Sequence, residues 1–299
     1  MKLAWIGTGV MGSAMLIHLK KAGHDVSAYN RTFEKMLPLK EHGVHICESI
    51  AACVKDADVV FTMVGYPKDV EDIYTCKDGI FEHIKKGCIL IDMTTSSPAL
   101  AQSLYEKAKM YHAYMLDAPV SGGDSGAKSA TLSIMVGGDK EVFEQAYPLF
   151  KILGTSIHYM GAAGCGQHAK ACNQIAVAGA VAAMSEAIVY ACKQNLPVEK
   201  MLNAISKGAA GSWQLEHTAP RVLANDFQPG FYIKHFIKDM NIIKAALLSN
   251  QVLSTSLFRM ELMMLNTVLE MYRTLAENGE ENLGTQALIH YYDNDEKLI

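Results

Sequence analysis

The sequence predicts an α/β chain, a doubly wound and mostly parallel sheet followed by an all-α carboxyl-terminal domain. Three observations carry that prediction. Short apolar runs alternate with helical or polar segments from residue 2 to about residue 160. A glycine signature, Gly7-Thr8-Gly9-Val10-Met11-Gly12, stands between the first strand and the first helix. Beyond residue 163 no alternating segment of strand length competes with the helical ones. At 299 residues the chain exceeds the size one core usually serves. The reading is therefore two domains, a Rossmann-type dinucleotide-binding domain over 1–162 and an all-α substrate and oligomerisation domain over 163–299.

The first strand, residues 2–6, feeds the glycine signature, a helix to about residue 21 and a second strand over 25–29. Gly7 makes the tight turn, Gly9 lets a pyrophosphate approach the backbone, and Gly12 lets the helix pack on the sheet. The N–H groups at the helix start, around Val10 and Met11, face the anion. A carboxylate at the end of the second strand would bind ribose hydroxyls and repel a 2'-phosphate. Here the chain reads Asn30-Arg31-Thr32, a guanidinium and a second donor, which favours NADP over NAD. Were Arg31 only the opening of a solvated helix, NAD would serve.

Further strands are expected over 44–47, 58–64, 88–93 and 113–117. Two loops then fall beyond carboxyl ends, Val64-Gly65-Tyr66-Pro67 and Thr94-Thr95-Ser96-Ser97-Pro98, where hydroxyls reach a ribose or a nicotinamide amide. Ser97 before Pro98 is the better N-cap. In the glycine-rich loop after Asp117, Ser121, Gly122 and Gly123 offer a hydroxyl and exposed N–H groups to a carboxylate. Strands over 131–137 and 156–160 flank a helix over 140–152 and close the sheet.

Residues 161–174 mark the change from alternating strands and helices to helices alone, and glycines there open one long helix to residue 194. On it Lys170, Asn173 and Gln174 stand at i, i+3 and i+4, so an amine and two amides share a face. An arbitrary Lys-x-x-Asn is a solvated surface pair, so only context makes this one a site. Cys165 and Cys172 read as small buried hydrophobes. Helices follow over 213–223, 233–250 and 256–275, and the tail over 277–299 reads as a terminal helix or an arm. Lys238-Asp239 reads by default as an exposed charge pair. Trp213 and Phe231 are expected either to line a substrate pocket or to be core aromatics.

Composition excludes several classes. A net charge of -4 without a long run of one sign gives no footprint for nucleic acid. Seven scattered cysteines without a Cys-x-x-Cys pair suggest neither a disulfide framework nor a zinc site, so no metal is expected and a reduced cytoplasm fits. The apolar run over 175–184 reads as too short to span a bilayer, and no signal peptide is apparent before the first strand.

Taken in order, four motifs resemble the β-hydroxyacid dehydrogenase family: Gly7 to Gly12 with Asn30-Arg31-Thr32, Asp117-Ala-Pro-Val-Ser-Gly-Gly123, Gly164-Cys-Gly-Gln-His-Ala-Lys-Ala-Cys-Asn173, and Lys238-Asp239. The resemblance spans essentially the whole chain. It implies hydride transfer between a nicotinamide and a short β-hydroxy acid or semialdehyde, with Lys170 as general acid/base. It further implies that Ser121, Gly122 and Gly123 hold the substrate carboxylate and that Asn173 orients the substrate. Val64, Thr95 and Lys238 become cofactor contacts, and a homodimer or homotetramer is implied. Asn173-Gln174, in place of the commoner Asn-Asn, resembles tartronate semialdehyde reductases. Enzymes of the 6-phosphogluconate dehydrogenase type, the decarboxylating alternative, carry His where this chain has Asn173. Imine reductases and catalytically silent NADP-binding relatives lose the lysine that stands here at 170.

Overall fold

Alternation along the first strands decides the architecture. Leu3 and Trp5 pack into one apolar cluster and Ala4 and Ile6 into another, as do Phe61 against Val60 and Ile91 against Leu90. Strands apolar on both faces need cover on both, which is the condition for a parallel sheet sandwiched by helices. The computed structural model describes residues 1–251 and 262–292. Among them, β1 (Lys2–Ile6), β2 (Asp25–Tyr29), β3 (His45–Ile46), β4 (Val59–Thr62), β5 (Ile89–Asp92), β6 (Tyr114–Asp117), β7 (Val120–Ser121), β8 (Leu132–Gly138) and β9 (Gly154–Gly161) form one sheet.

Its order is β3-β2-β1-β4-β5-β6-β8-β7, with β9 on β8. The six strands from β3 to β6 in that order are parallel, and β8 runs antiparallel to β6 and β7. The order reverses at β1, where the next strand in sequence lies on one side and β4 on the other. Ligands of such sheets bind at that crevice. Covering the sheet are α1 (Val10–Lys21), α2 (Ile50–Val54), α3 (Pro67–Thr75), α4 (Ile80–His83), α5 (Pro98–Met110), α6 (Gly123–Ser129) and α7 (Lys140–Leu153).

The all-helical part comprises α8 (Cys165–Lys193), α9 (Val198–Ile205), α10 (Ala219–Leu223), α11 (Ile233–Gln251) and α12 (Met263–Glu277), followed by a 3-10 segment, Thr285–Tyr292. Its core joins Val181, Met184 and Ile188 of α8 to Phe236 and Met240 of α11 and Leu265, Leu269 and Tyr272 of α12. The two compact units are Met1–Lys170 and Ala171–Ile299. They divide inside α8, whereas the sequence reading divides the chain at 162/163. No linker marks the division, because the helix is continuous through it.

Several expectations change. The glycine-rich loop after Asp117 folds into the two-residue strand β7 and the seven-residue α6. The helix expected over 213–223 is interrupted by a π segment, Gln214–Thr218, before α10. Pro220 has no N–H to bond the carbonyl of residue 216, so the regular ladder cannot run through it. Trp213 is 58% exposed and stacks on His217 at 4.7 Å rather than entering the core, while Phe231 packs edge-on against Phe236 at 5.6 Å. Cys172 is exposed and Cys165 half-buried. The apolar run over 175–184 lies within a 29-residue helix that, by length and composition, is able to cross a membrane; a third of its most apolar window is buried. Core helices of water-soluble proteins meet the same test, and this one carries buried Lys170, Gln174 and Ser185. The predicted helix over 256–275 is described from Met263 onward, and residues 252–261 and 293–299 lie outside the described residues.

Candidate active site

Register builds the site in the first unit. Tyr29, Ile6, Thr62, Asp92 and Asp117, the last residues of β2, β1, β4, β5 and β6, are successive partners across the sheet. The loops that follow them therefore leave from one line. Those loops, together with the first turn of α1, contain every site residue expected over 7–95.

The glycine signature has the geometry its chemistry requires. Gly7 has φ +98°, and a Cβ there would collide with the Met63 carbonyl. A Cβ on Gly12 would collide with the Gly7 carbonyl and come within 3.0 Å of Trp5 Nε1, which itself donates to Gly7 O at 2.9 Å. Gly9 differs, since among the described residues no atom other than those of its chain neighbours lies within 4 Å of where its Cβ would stand. The protein leaves that position unconstrained, so the demand for glycine comes from a ligand that approaches the backbone. Gly9 is also the N-cap of α1, which has no side-chain cap and no acidic residue in its first turn, so the first N–H groups, at Val10 and Met11, suit an anion. Beside them Thr8 Oγ1 is buried and makes no hydrogen bond among the described residues. These features fit a dinucleotide pyrophosphate.

Asn30 works on the loop itself. Its Oδ1 accepts from Thr8 N at 3.1 Å and its Nδ2 donates to Thr32 O at 2.9 Å. Arg31 is 89% exposed and stands 3.8 Å from Asp69, a weak pair that a phosphate can displace. Thr32 precedes a 3-10 segment, Phe33–His42, without capping it. Val64 N donates to Thr94 Oγ1 at 3.0 Å, and half-buried Thr95 follows. Ser97 Oγ accepts from Leu100 N as the N-cap of α5, with Pro98 at the first helical position.

Lys170 is 7% exposed, on the second turn of α8. Two residues outside the expected set hold the start of that helix. Asp117 accepts from Gly164 N at 2.8 Å and Gln167 N at 2.9 Å, capping α8 from the end of β6. The Gln167 side chain donates to Thr94 O at 2.8 Å and accepts from Ser96 N at 2.9 Å. A carboxylate at the end of a strand and a glutamine one turn before the lysine were the available signals; neither names a partner. Ser121 lies on β7 opposite Ser133, and Gly122, at φ +132°, and Gly123, at φ +61°, open α6 with a turn that favours glycine.

In the second unit the amides form a chain. Asn173 Nδ2 donates to Gln174 Oε1 at 2.8 Å, and Gln174 Nε2 donates to Asp239 Oδ2 at 2.6 Å. Lys238 Nζ lies 3.1 Å from Asp239 Oδ1, with side-chain exposures of 11% and 1%. The exposed charge pair expected from sequence is thus a buried one. Asp239 satisfies an amide on the facing helix, which compensates its removal from water.

Burial pushes the Asp117 carboxyl up to about 6, with the neighbouring Asp92 charge adding to the effect and the backbone N–H bonds opposing it. An unfolded Asp ionises near 3.9, so between about pH 4 and 6 the folded chain binds more protons. The stability contributed by this group therefore falls as pH rises through that window, by about 3 kcal/mol in total. The unfolding free energy of the wild type minus that of Asp117→Asn should follow this fall and level off above pH 7; a pH-independent difference would remove the argument. Gly12→Ala should destabilise the chain by about 1–3 kcal/mol in urea titrations through the collision with Gly7 O. Gly9→Ala should cost less, about 0.5–1 kcal/mol as the difference between Gly and Ala at an N-cap, yet weaken dinucleotide binding measured by fluorescence.

Known proteins resemble this chain along nearly its whole length. Residues 2–161 match the NAD-binding domain of 6-phosphogluconate dehydrogenase, and residues 164–292 match the domain described as NAD-binding of NADP-dependent 3-hydroxyisobutyrate dehydrogenase. The chain is 47% identical over 288 residues to an uncharacterized oxidoreductase of Bacillus subtilis (strain 168), covering 96% of each. It is 36% identical over 291 residues to 2-hydroxy-3-oxopropionate reductase of Escherichia coli (strain K12), covering 97% of this chain and 96% of the relative. Among solved structures, Mycobacterium tuberculosis 3-hydroxyisobutyrate dehydrogenase with L-serine superposes with a TM-score of 0.86 at 30% identity, over 97% of this chain and 98% of that one.

Proposed function

We infer, for a chain that belongs to the β-hydroxyacid dehydrogenase family, that NADP is the preferred cofactor and that its substrates are short β-hydroxy acids and the matching semialdehydes. Membership makes the chain an NAD(P)-dependent oxidoreductase moving a hydride between nicotinamide and a β-hydroxy acid. The preference rests on Arg31, an exposed guanidinium just beyond β2 with no carboxylate beside it in sequence and, among the described residues, a weak ion pair with Asp69. The substrate class is supported by the name of the Escherichia coli relative, an acid that is also a semialdehyde, and by the Asn173-Gln174 pair.

The observation that carries the mechanism is buried Lys170 on a helix start tied to the sheet loops. Bound nicotinamide supplies or takes up the hydride. As a semialdehyde is reduced, the Lys170 ammonium gives its proton to the carbonyl oxygen; as a hydroxy acid is oxidised, the neutral amine takes the hydroxyl proton. The substrate also carries a carboxylate. Ser121 and the backbone N–H groups of Gly122 and Gly123 hold that carboxylate, while Asn173 orients the oxygen to be protonated.

Initial rates against a panel of three- and four-carbon hydroxy acids and semialdehydes, each with NADP(H) and NAD(H), test the reading. Lys170→Ala should lower kcat by at least about 100-fold while leaving cofactor binding intact. Arg31→Ala should raise KM for NADPH about tenfold and leave NADH unchanged. Equal use of both cofactors by the wild type would sink the NADP preference. The small residues along α8 that face outward, Ala176 and Ala183 among them, suit close packing against a second copy. Light scattering should return a dimer or tetramer, and a monomeric mass would refute that packing.

A further inference from the structure

Gln167 is 2% exposed, one helical turn before Lys170, and all its polar groups at the helix start are committed. Its backbone N–H goes to Asp117 Oδ2 at 2.9 Å. Its side chain grips the loop beyond β5 with both ends, donating to Thr94 O at 2.8 Å and accepting from Ser96 N at 2.9 Å. The grip falls on the two residues flanking Thr95. Thr94 is fixed from its other side as well, its N–H donating to Asp92 Oδ1 at 3.1 Å and its hydroxyl receiving Val64 N at 3.0 Å. Thr94, Ser96, Asp92 and Asp117 are buried and Val64 is half-buried, so the clamp has little freedom.

We propose that Gln167 is a positioning residue that sets Lys170 against Thr95 and thereby fixes the proton donor relative to the reacting carbon. The proposal rests on the reading of Lys170 as general acid/base and of Thr95 as the residue beside the nicotinamide. A carboxamide is the group the geometry demands: one end must donate to a carbonyl and the other must accept from an N–H. A carboxylate can do only the second, and an apolar side chain neither. Losing one bond would leave a buried carbonyl or N–H without its partner and loosen the loop by a fraction of an ångström, and displacement on the ångström scale costs far more in kcat than in binding.

The test is Gln167→Glu, read as its kcat divided by the wild-type kcat across pH 5.5 to 9, with Gln167→Met as a reference and Lys170→Ala alongside. A protonated glutamic acid restores the donor to Thr94 O and keeps the acceptor for Ser96 N. The carboxyl of Gln167→Glu should ionise well above the ordinary range, through burial and the nearby charge of Asp117, with Asp92 behind it and Lys170 one turn on opposing. The expected result is a ratio near one at the acid end that falls about tenfold or more at the basic end, reversibly in one sample, with KM for NADPH little changed. The Gln167→Met ratio should be low and flat. A Gln167→Glu ratio that is flat, whether at the wild-type level or at zero, overturns the proposal. Should Lys170→Ala keep wild-type activity, the underlying reading fails instead, whatever the Gln167 variants do.

Discussion

One buried carboxylate connects the sheet to the chemistry. Asp117, 3% exposed at the last position of β6, accepts two N–H groups from the start of α8. A helix start has donors without partners, and a carboxylate there satisfies them while interacting favourably with the helix dipole. The energetic tension lies in burial, which opposes the charge that makes Asp117 a good acceptor. The close approach leaves no room for a side chain: a Cβ on Gly166 would stand 2.6 Å from Asp117 O and one on Gly137 2.6 Å from Asp117 Oδ1. The glycines around Lys170 are thus the condition for capping α8 from the sheet.

From that junction the geometry propagates in two directions. Along the sheet edge, the in-register ends of five parallel strands line up the glycine turn, the Asn30 brace, the Thr94 loop and the Ser121 turn. Along α8, helical periodicity carries the fixed start to Lys170. The amides are oriented by a rule as strict as the cap: Asp239 can only accept, so Gln174 must turn its NH2 toward it and its carbonyl toward Asn173. One carboxylate places the amine-bearing helix, and another sets the polarity of the amides.

Much of this was legible without coordinates. Short apolar runs and the Gly7 to Gly12 signature located β1 and β2 to the residue and the end of α1, while the start of α1 lies at Val10, inside the signature, because a turn with φ above zero and a helix touching a backbone carbonyl admit little but glycine. Ser97-Pro98 announced a capped helix through purely local chemistry. Other signals misled for want of context. Lys238-Asp239 read as solvated because adjacent charges usually are, and the structure buries it; of the two readings of Trp213, pocket lining or core aromatic, its exposure removes the core one.

The sequence by itself determined the doubly wound sheet, the dinucleotide turn and the helix that bears Lys170, since each follows from short-range periodicity, backbone conformation or capping. Tertiary structure alone decided what holds those parts. Gln167 meets Ser96 across 71 positions of sequence, Asp117 meets Gly164 across 47, and Gln174 meets Asp239 across 65. Buried polar groups must find partners, but nothing in local sequence says which distant donor or acceptor will come within 3 Å. That choice belongs to the packing of strands and helices, and it is where the candidate active site acquires its fixed geometry.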